Sequence, residues 1–255
     1  MAGFLFERNM HSIAASATIG RGTSLGQHCV IEEAVIVGEN CHIGHHVVLK
    51  SGTRIGQGVR IGDHTSLGVR PLRARRSARR DLNLNAVLTV GDNGLIGCGA
   101  VLYAGCTIAP DVMVADLTTV RENVTVGTNT IVGRGVAIEN SCSIGDYCKL
   151  ETNAYITAYS TLEDHVFIAP GVTTSNDNFA GRTRDRHKFY KGVIVRCGGR
   201  IGAGATILPG REIGPDALLA AGSVLTRNIP AGEIWAGVPA RFLRRVPASQ
   251  LLENQ

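Results

Sequence analysis

The sequence predicts an all-β protein built as a solenoid of short strands and tight turns. Three observations carry this: aliphatic residues at a spacing of six, glycine at the step that follows them, and small residues two positions before them. Every sixth residue from Ile13 to Leu67 is aliphatic; the spacing resumes at Val90 and runs to Ile168, then again from Val195 to Leu225, thirty positions in all. A period of six suits neither an amphipathic helix nor one long alternating strand, but it suits a short strand plus a turn, repeated. Fourteen of the thirty are followed directly by Gly, as in Ile19-Gly20, Ile43-Gly44 and Ile201-Gly202, and glycine takes turn dihedrals at no steric cost. The residue two before each aliphatic shares its face and points inward: Ala17, Thr23, Cys29, Val35, Cys41, Ala100, Cys106 and Thr118 describe a narrow interior.

Taken in order, residues 13–67, 90–174 and 195–225 are coils, 68–88 and 175–193 are inserted loops, and 226–255 is a C-terminal cap, all within one domain, 1–255. The first loop carries Arg70, Arg73, Arg75, Arg76, Arg79 and Arg80 against the single Asp81. It reads either as a phosphate-binding element or as a solvated loop. Nucleic acid is a poor partner for it, since no aromatics interleave with the arginines and the net charge is only +5. The second loop, SNDNFAGRTRDRHKFYKG at 175–192, is polar and largely basic. In so regular a scaffold, an insertion is where function is expected, because a loop can be shaped while the coils cannot.

Composition fits one elongated domain whose coils touch only their neighbours: aromatics make up 5% beside 32 Gly. There is no apolar run long enough to span a membrane, and MAGFLFERNMHS lacks the basic and apolar regions of a signal peptide, so a cytoplasmic protein is expected. Cys29, Cys41, Cys106, Cys142 and Cys148 all occupy the small inward slot and are expected to be reduced packing residues. His28, His46 and His64 lie eighteen apart and are expected to stack along one corner. In a straight ladder the outer two would stand about 9.6 Å apart, too far to share one zinc. No metal is therefore expected.

The sixfold pattern is the hexapeptide repeat. It resembles the acyltransferases of the left-handed parallel β-helix class, in which three hexads form a triangular coil; the resemblance implies about ten coils and the left hand. Within this class TLEDHVFIAPGVTTSNDNFAGR, residues 161–182, is similar to the nucleotide-linked 3-amino-sugar N-acetyltransferases through Leu162, Glu163, Asp164, Val166, Phe167, Ala169, Pro170, Asn176 and Asp177. The stretches IGAGATILPGREIG and AAGSVLTRNIPAGEIWAGVPARFL are similar to the closing coils and cap by which the wider family holds coenzyme A.

The resemblance implies an acetyl-CoA-dependent N-acetyltransferase acting on the amino group of a nucleotide-linked amino sugar, a surface polysaccharide precursor. It also implies a homotrimer in which the second loop closes a site over a neighbouring subunit. Asn176, Asp177 and Asn178 are expected to bond sugar hydroxyls or the amine. Arg182 and Arg184, with Arg186, Lys188 and Lys191 near them, would meet phosphates or a carboxylate. Ala203, Gly204, Ala221 and Gly222 would let the pantetheine arm lie against the coil, Arg241 would meet the adenosine phosphate, and Trp235 would cap the prism or stack on adenine. In related 4-amino-sugar enzymes a histidine is the general base; its position is Ala158 here. Positioning then carries most of the catalysis. His165 and Asp177 are candidates for proton removal, a backbone N–H for oxyanion stabilisation, and Asn153 stands where the 3-amino-sugar group has an asparagine facing the substrate. Other hexapeptide acyltransferases, acting on an amino acid or a lipid precursor, and a γ-type carbonic anhydrase-like metal enzyme remain the alternatives.

Overall fold

A computed structural model describes residues 11–72, 74–75 and 86–255. Two expectations therefore fall partly outside the described residues: the N-terminal reading at 1–10, and the arginine cluster at Arg73, Arg76, Arg79 and Arg80.

The chain is a parallel β-helix with three faces. The first face is a sheet of 11 strands beginning at Ser12–Ile13, the second a sheet of 10 beginning at Thr18–Ile19, and the third a sheet of 12 beginning at Ser24–Leu25. Consecutive strands step from face to face, so each strand pairs with the one three places on. Ile31 stacks on Leu49, Leu102 on Val120, and Ile138 on Ile156. We call the turn from the first to the second face corner 1, from the second to the third corner 2, and from the third back to the first corner 3. Ten coils underestimates the stack slightly. Thr173–Thr174 takes a strand position with no aliphatic, and Glu233–Gly237 adds a rung to the third face, which then pairs antiparallel with Ala240–Arg245.

The aliphatics of the sixfold pattern form one continuous core, from Ile31 and Val37 to Leu219 and Leu225. The inward slot two residues earlier has a second role. Its thiols and hydroxyls donate to a carbonyl on the next coil: Cys106 Sγ to Arg121 O at 2.8 Å, Thr118 Oγ1 to Gly133 O at 2.9 Å, and Cys142 Sγ to Thr157 O at 3.1 Å. Cysteine and threonine are thus interchangeable there: each is small and each satisfies a buried carbonyl. All five cysteines assigned to the slot are buried. Burial also pushes up the thiols of Cys29, Cys106, Cys148 and Cys142, Cys106 and Cys148 to about 11 and Cys142 to about 12, which keeps those four inert.

The corners explain a second set of residue choices. The turn residue has positive φ, as at His28 (59°), His46 (55°), His64 (58°), Asn153 (59°) and His165 (58°). Asn, Asp and His are the non-glycine residues that tolerate this region best. The three histidines stack along corner 3 with ring centroids 5.0 and 4.8 Å apart, and all three are exposed. Among the described residues, no group of three or more His, Cys, Asp or Glu could hold a metal ion, and no helix is long and apolar enough to cross a membrane.

Candidate functional site

Both insertions leave the prism at the same corner. The first follows the strand Ser66–Val69 and the second follows Thr173–Thr174; each strand lies on the first face, and each loop returns to the second. They are five rungs apart on the first face, roughly 24 Å at about 4.8 Å per rung. Of the first loop's arginines, Arg70 and Arg75 are described and exposed.

At the second insertion the inward aliphatic expected at position 174 is replaced by buried Thr174. Thr174 Oγ1 accepts Thr157 N at 2.7 Å and donates to Tyr155 O at 3.0 Å, while Ser160 Oγ accepts Val193 N at 3.2 Å where the chain re-enters the prism. These buried hydroxyls pin both roots of the loop. The missed beat at Thr174 is a signal by which sequence reasoning could have found them.

Within the loop, Asp177 organises its own backbone. Its Oδ1 accepts Phe179 N at 2.8 Å, its Oδ2 accepts Gly181 N at 3.0 Å, and Arg186 Nε lies 3.5 Å from Oδ2. Asn176 O accepts Lys191 N at 3.2 Å and closes the neck. Asn178, Arg182 and Arg184 are exposed, and Phe179 and Phe189 pack edge to face at 5.7 Å.

The expected cofactor residues gather on corner 3, on the coils that follow the second insertion. Gly222 N donates to Ala203 O at 2.8 Å, stacking Ala221-Gly222 on Ala203-Gly204. A Cβ added at Gly171, Gly204 or Gly222 would meet nothing within 4 Å, so this edge is an open strip. The strand Ala240–Arg245 brings Arg241 opposite Ala236, and Gly237 N is tied to Ser223 Oγ at 3.0 Å, beside Gly222. Trp235 packs partly buried against the core, its indole N–H donating to Glu233 Oε2 at 2.9 Å.

Asn153 is on the same edge, one rung above Gly171 and two above Gly204, through Gly171 N to Thr152 O and Gly204 N to Pro170 O. His165 is not. It occupies corner 2, stacked on Tyr147 with centroids 5.1 Å apart, so the structure does not bring it together with Asp177 or Asn153. The Glu163 and Asp164 that mark the approach to the loop tie coil to coil. Glu163 accepts Arg196 Nη1 at 2.8 Å and Cys197 N at 2.9 Å, and Asp164 Oδ1 accepts Asp146 N at 2.8 Å. Ala158, at corner 1, is buried.

Sequence reading missed a polar network at corner 1. Arg121 donates through Nε and Nη2 to the buried Glu122 at 2.9 and 3.1 Å, packs its guanidinium over Tyr103 at 4.8 Å, and lies 3.8 Å from Glu139. Nothing in the sixfold pattern marks these side chains, because on the first face the residue after the inward aliphatic keeps no one type, from Ala14 and Lys50 to Tyr103, Arg121 and Glu139. A shallow groove of about 330 Å³ also lies on the third face, lined by His42, Arg60, Asp63, Leu95, Cys98 and Met113 among others; it holds none of the candidate residues.

A three-faced parallel helix of hexads, with an open corner of small residues and a polar inserted loop, defines the class. The bacterial transferase hexapeptide model matches residues 16–51, and the hexapeptide repeat of succinyl-transferase matches 118–158 and 198–227. The chain carries hexapeptide repeats in these stretches. It is 38% identical over 63 residues to Gamma carbonic anhydrase 2, mitochondrial, of Arabidopsis thaliana, covering 24% of this chain and 23% of that one. It is 40% identical over 58 residues to the 2,3,4,5-tetrahydropyridine-2,6-dicarboxylate N-acetyltransferase of Staphylococcus aureus, covering 23% and 24%. In both cases the chain spans about a quarter of the relative's length. Among solved structures, the Arabidopsis UDP-N-acetylglucosamine acyltransferase aligns over 93% of this chain and 73% of its own, with a TM-score of 0.66 at 16% identity; that likeness is one of fold.

Proposed function

We propose that this protein is an acetyl-CoA-dependent N-acetyltransferase acting on the amine of a nucleotide-linked amino sugar. The observation that carries the reading is the open strip of corner 3, where Ala203-Gly204 and Ala221-Gly222 stack and the hairpin that carries Arg241 is tied to the adjoining Ser223. A flat, side-chain-free edge suits an extended pantetheine arm, and a guanidinium at its end suits a phosphate. The loop at corner 1 supplies the complementary half: Asn176 and Asn178 for hydroxyls, Arg182 and Arg184 for a diphosphate, all held in place by Asp177. The S. aureus relative, which is named as an N-acetyltransferase, supports transfer to an amine.

The two halves occupy different corners of one prism, so a site that uses both is completed between copies, in a homotrimer. The chemistry needs little from the protein. The ammonium first gives up a proton to solvent; the neutral amine then attacks the thioester carbonyl and forms the C–N bond, a backbone N–H steadies the oxyanion, the C–S bond breaks, and the nitrogen's extra proton goes to the departing thiolate, which leaves as the free thiol. Holding amine and thioester in contact can lower the barrier by about 7 to 11 kcal/mol in ideal cases. Asn153, on the cofactor edge, orients the reacting groups.

Thiol release from acetyl-CoA, measured with a panel of nucleotide-linked amino sugars beside a zinc determination, tests the reading. Turnover with one such sugar and substoichiometric zinc is expected. Turnover only with an amino acid or lipid precursor, or stoichiometric zinc with no thiol release, overturns it. Light scattering is expected to give three chains per particle, and a strict monomer at micromolar concentration overturns the shared site.

A further inference from the structure

We infer that Glu139, with Tyr155 beside it on the next coil, holds the substrate's ammonium group at corner 1 and so selects an amino sugar over its hydroxyl counterpart. The inference rests on the reading above and names the group that recognises the amine.

The last residues of the first face before corner 1 form a column through coil-to-coil hydrogen bonds: Tyr103, Arg121, Glu139, Thr157 and Ser175. Arg121 N donates to Ile138 O and Glu139 N to Ile156 O, and Thr157 N donates to Thr174 Oγ1, next to Ser175. Ser175 is where the second loop leaves the prism, so Glu139 stands two rungs from the loop's root, about 9.6 Å. That distance is spanned by a sugar ring whose phosphates lie under the loop's arginines.

The other described carboxylates near this corner are already engaged. Both oxygens of Asp177 accept backbone N–H groups of the loop. Glu122 is 3% exposed and takes two hydrogen bonds from Arg121. Glu139 differs from both. Its side chain is 28% exposed, and its ion-pair contact among the described residues is Arg121 Nη1 at 3.8 Å, too long for a hydrogen bond. Arg121 spends its two short bonds on Glu122, leaving the Glu139 carboxylate able to take a further donor.

Two tyrosines lie on the next coil. Tyr155 follows Ala137 in register on the first face, and Tyr159 N donates to Asn140 O at 3.2 Å; the rings are 37% and 48% exposed. The phenol of Tyr155 is pushed up, first by burial and then by the nearby Glu139 charge, which agrees with the two being neighbours. A partly exposed carboxylate with no short hydrogen bond of its own from Arg121, next to a tyrosine, can receive an ammonium group. It gives a sugar hydroxyl far less, because the charge on the donor is missing.

Calorimetry with acetyl-CoA absent, using a nucleotide-linked amino sugar that the enzyme turns over and the same nucleotide sugar carrying hydroxyl in place of amine, tests this on wild type, E139Q and E139D. Wild type is expected to prefer the amine by about 10- to 100-fold. E139Q is expected to lose that preference while binding the hydroxyl sugar as before, and E139D to recover part of it; the KM for acetyl-CoA stays within about twofold. An unchanged amine preference in E139Q overturns the role of Glu139 while leaving the proposed activity standing. A wild type that binds neither sugar removes both.

Discussion

Corners 1 and 3 of this prism are made from the same repeat and differ in what they are allowed to carry. At corner 3, from Gly171 to Gly222, turn follows turn with glycine and small residues, and nothing stands beyond them. At corner 1, two insertions leave the coil, and the residues between them form a fixed network of Tyr103, Arg121, Glu122 and Glu139. A solenoid coil bonds only to the coils above and below, so elaborating one corner leaves the other two undisturbed. The same scaffold can then present a smooth edge for an extended chain and a structured edge for a compact polar group.

The sharpest way to break this comparison is to place a methyl on each side of it. A Cβ at Gly192, where the second loop rejoins the prism, would clash with the Tyr159 carbonyl, whereas one at Gly204 would meet nothing within 4 Å. Gly192→Ala must move backbone and is expected to cost about 1 to 3 kcal/mol, read as a clear drop in Tm. Gly204→Ala costs at most about 1 to 2 kcal/mol, since φ is 64°. Its larger effect is a rise in the KM for acetyl-CoA of about tenfold or more, the usual penalty for one methylene too many in a fitted site. Equal Tm losses with an unchanged KM would mean that corner 3 is merely a turn.

Next in size is the loop itself. Asp177→Asn keeps an oxygen for Phe179 N but sets an amide donor against Gly181 N, so the loop shifts without unfolding. Displacing positioning groups by about 1 Å can cost 100-fold. Turnover with the amino sugar is expected to fall by about that much, with Tm changed little because the loop is exposed and contributes little to packing. Asn176→Ala is expected to behave in the same way. Native rates in both variants would remove the loop from the site.

The fold was legible in the sequence because each hexad states the same instruction: aliphatic in, small neighbour in, glycine at the turn. Short strands recur at that spacing along the described residues. The site was legible only where it coincided with a departure from that instruction. The second loop and the small residues at 203–204 and 221–222 depart visibly; the grouping of Arg241 with them depends on the cap's hairpin, which no period announces. Glu139 and Arg121 sit at a step the repeat leaves free, so their network needs coordinates. Asn153 and His165 show the reverse case. Both fill positive-φ turns that favour Asn and His for backbone reasons, so residue type alone says little about chemistry there. Only the corner separates them, with Asn153 on the cofactor edge and His165 stacked on Tyr147 at corner 2.

That separation predicts a smaller effect. His165→Ala is expected to keep at least about a tenth of native turnover, since loss of a working general base costs about 100- to 10,000-fold. The rate is also expected to rise toward mildly alkaline pH as more substrate amine becomes neutral. A thousandfold loss with Tm intact would make corner 2 part of the site and would undo the division between corners 1 and 3.

Corner 2 also supplies the smallest expected effect and a control for the other two. Arg196 bridges Glu163 at 2.8 Å and Glu212 at 2.7 Å, clamping coils at the second face just after the loop returns. The Glu163 carboxyl is held below its ordinary value, first by the hydrogen bond from Arg196, with Cys197 N adding to it against a smaller cost of burial. A carboxyl whose folded value is lowered binds its proton less readily in the folded than in the unfolded chain. It therefore contributes stability that is fully present above its unfolded value, near 4.5, and is lost as pH falls through the lower folded value. The side chains of Arg196 and Glu163 are 38% and 36% exposed, so solvent and salt screen the pair and the contribution is small. Glu163→Gln is accordingly expected to lower Tm slightly at pH 7, with the deficit closing as pH drops below 4.5 and shrinking in high salt, while turnover and both KM values stay native. A deficit that persists at low pH would assign Glu163 a packing role instead, and a change in KM would mean that the clamp shapes the loop.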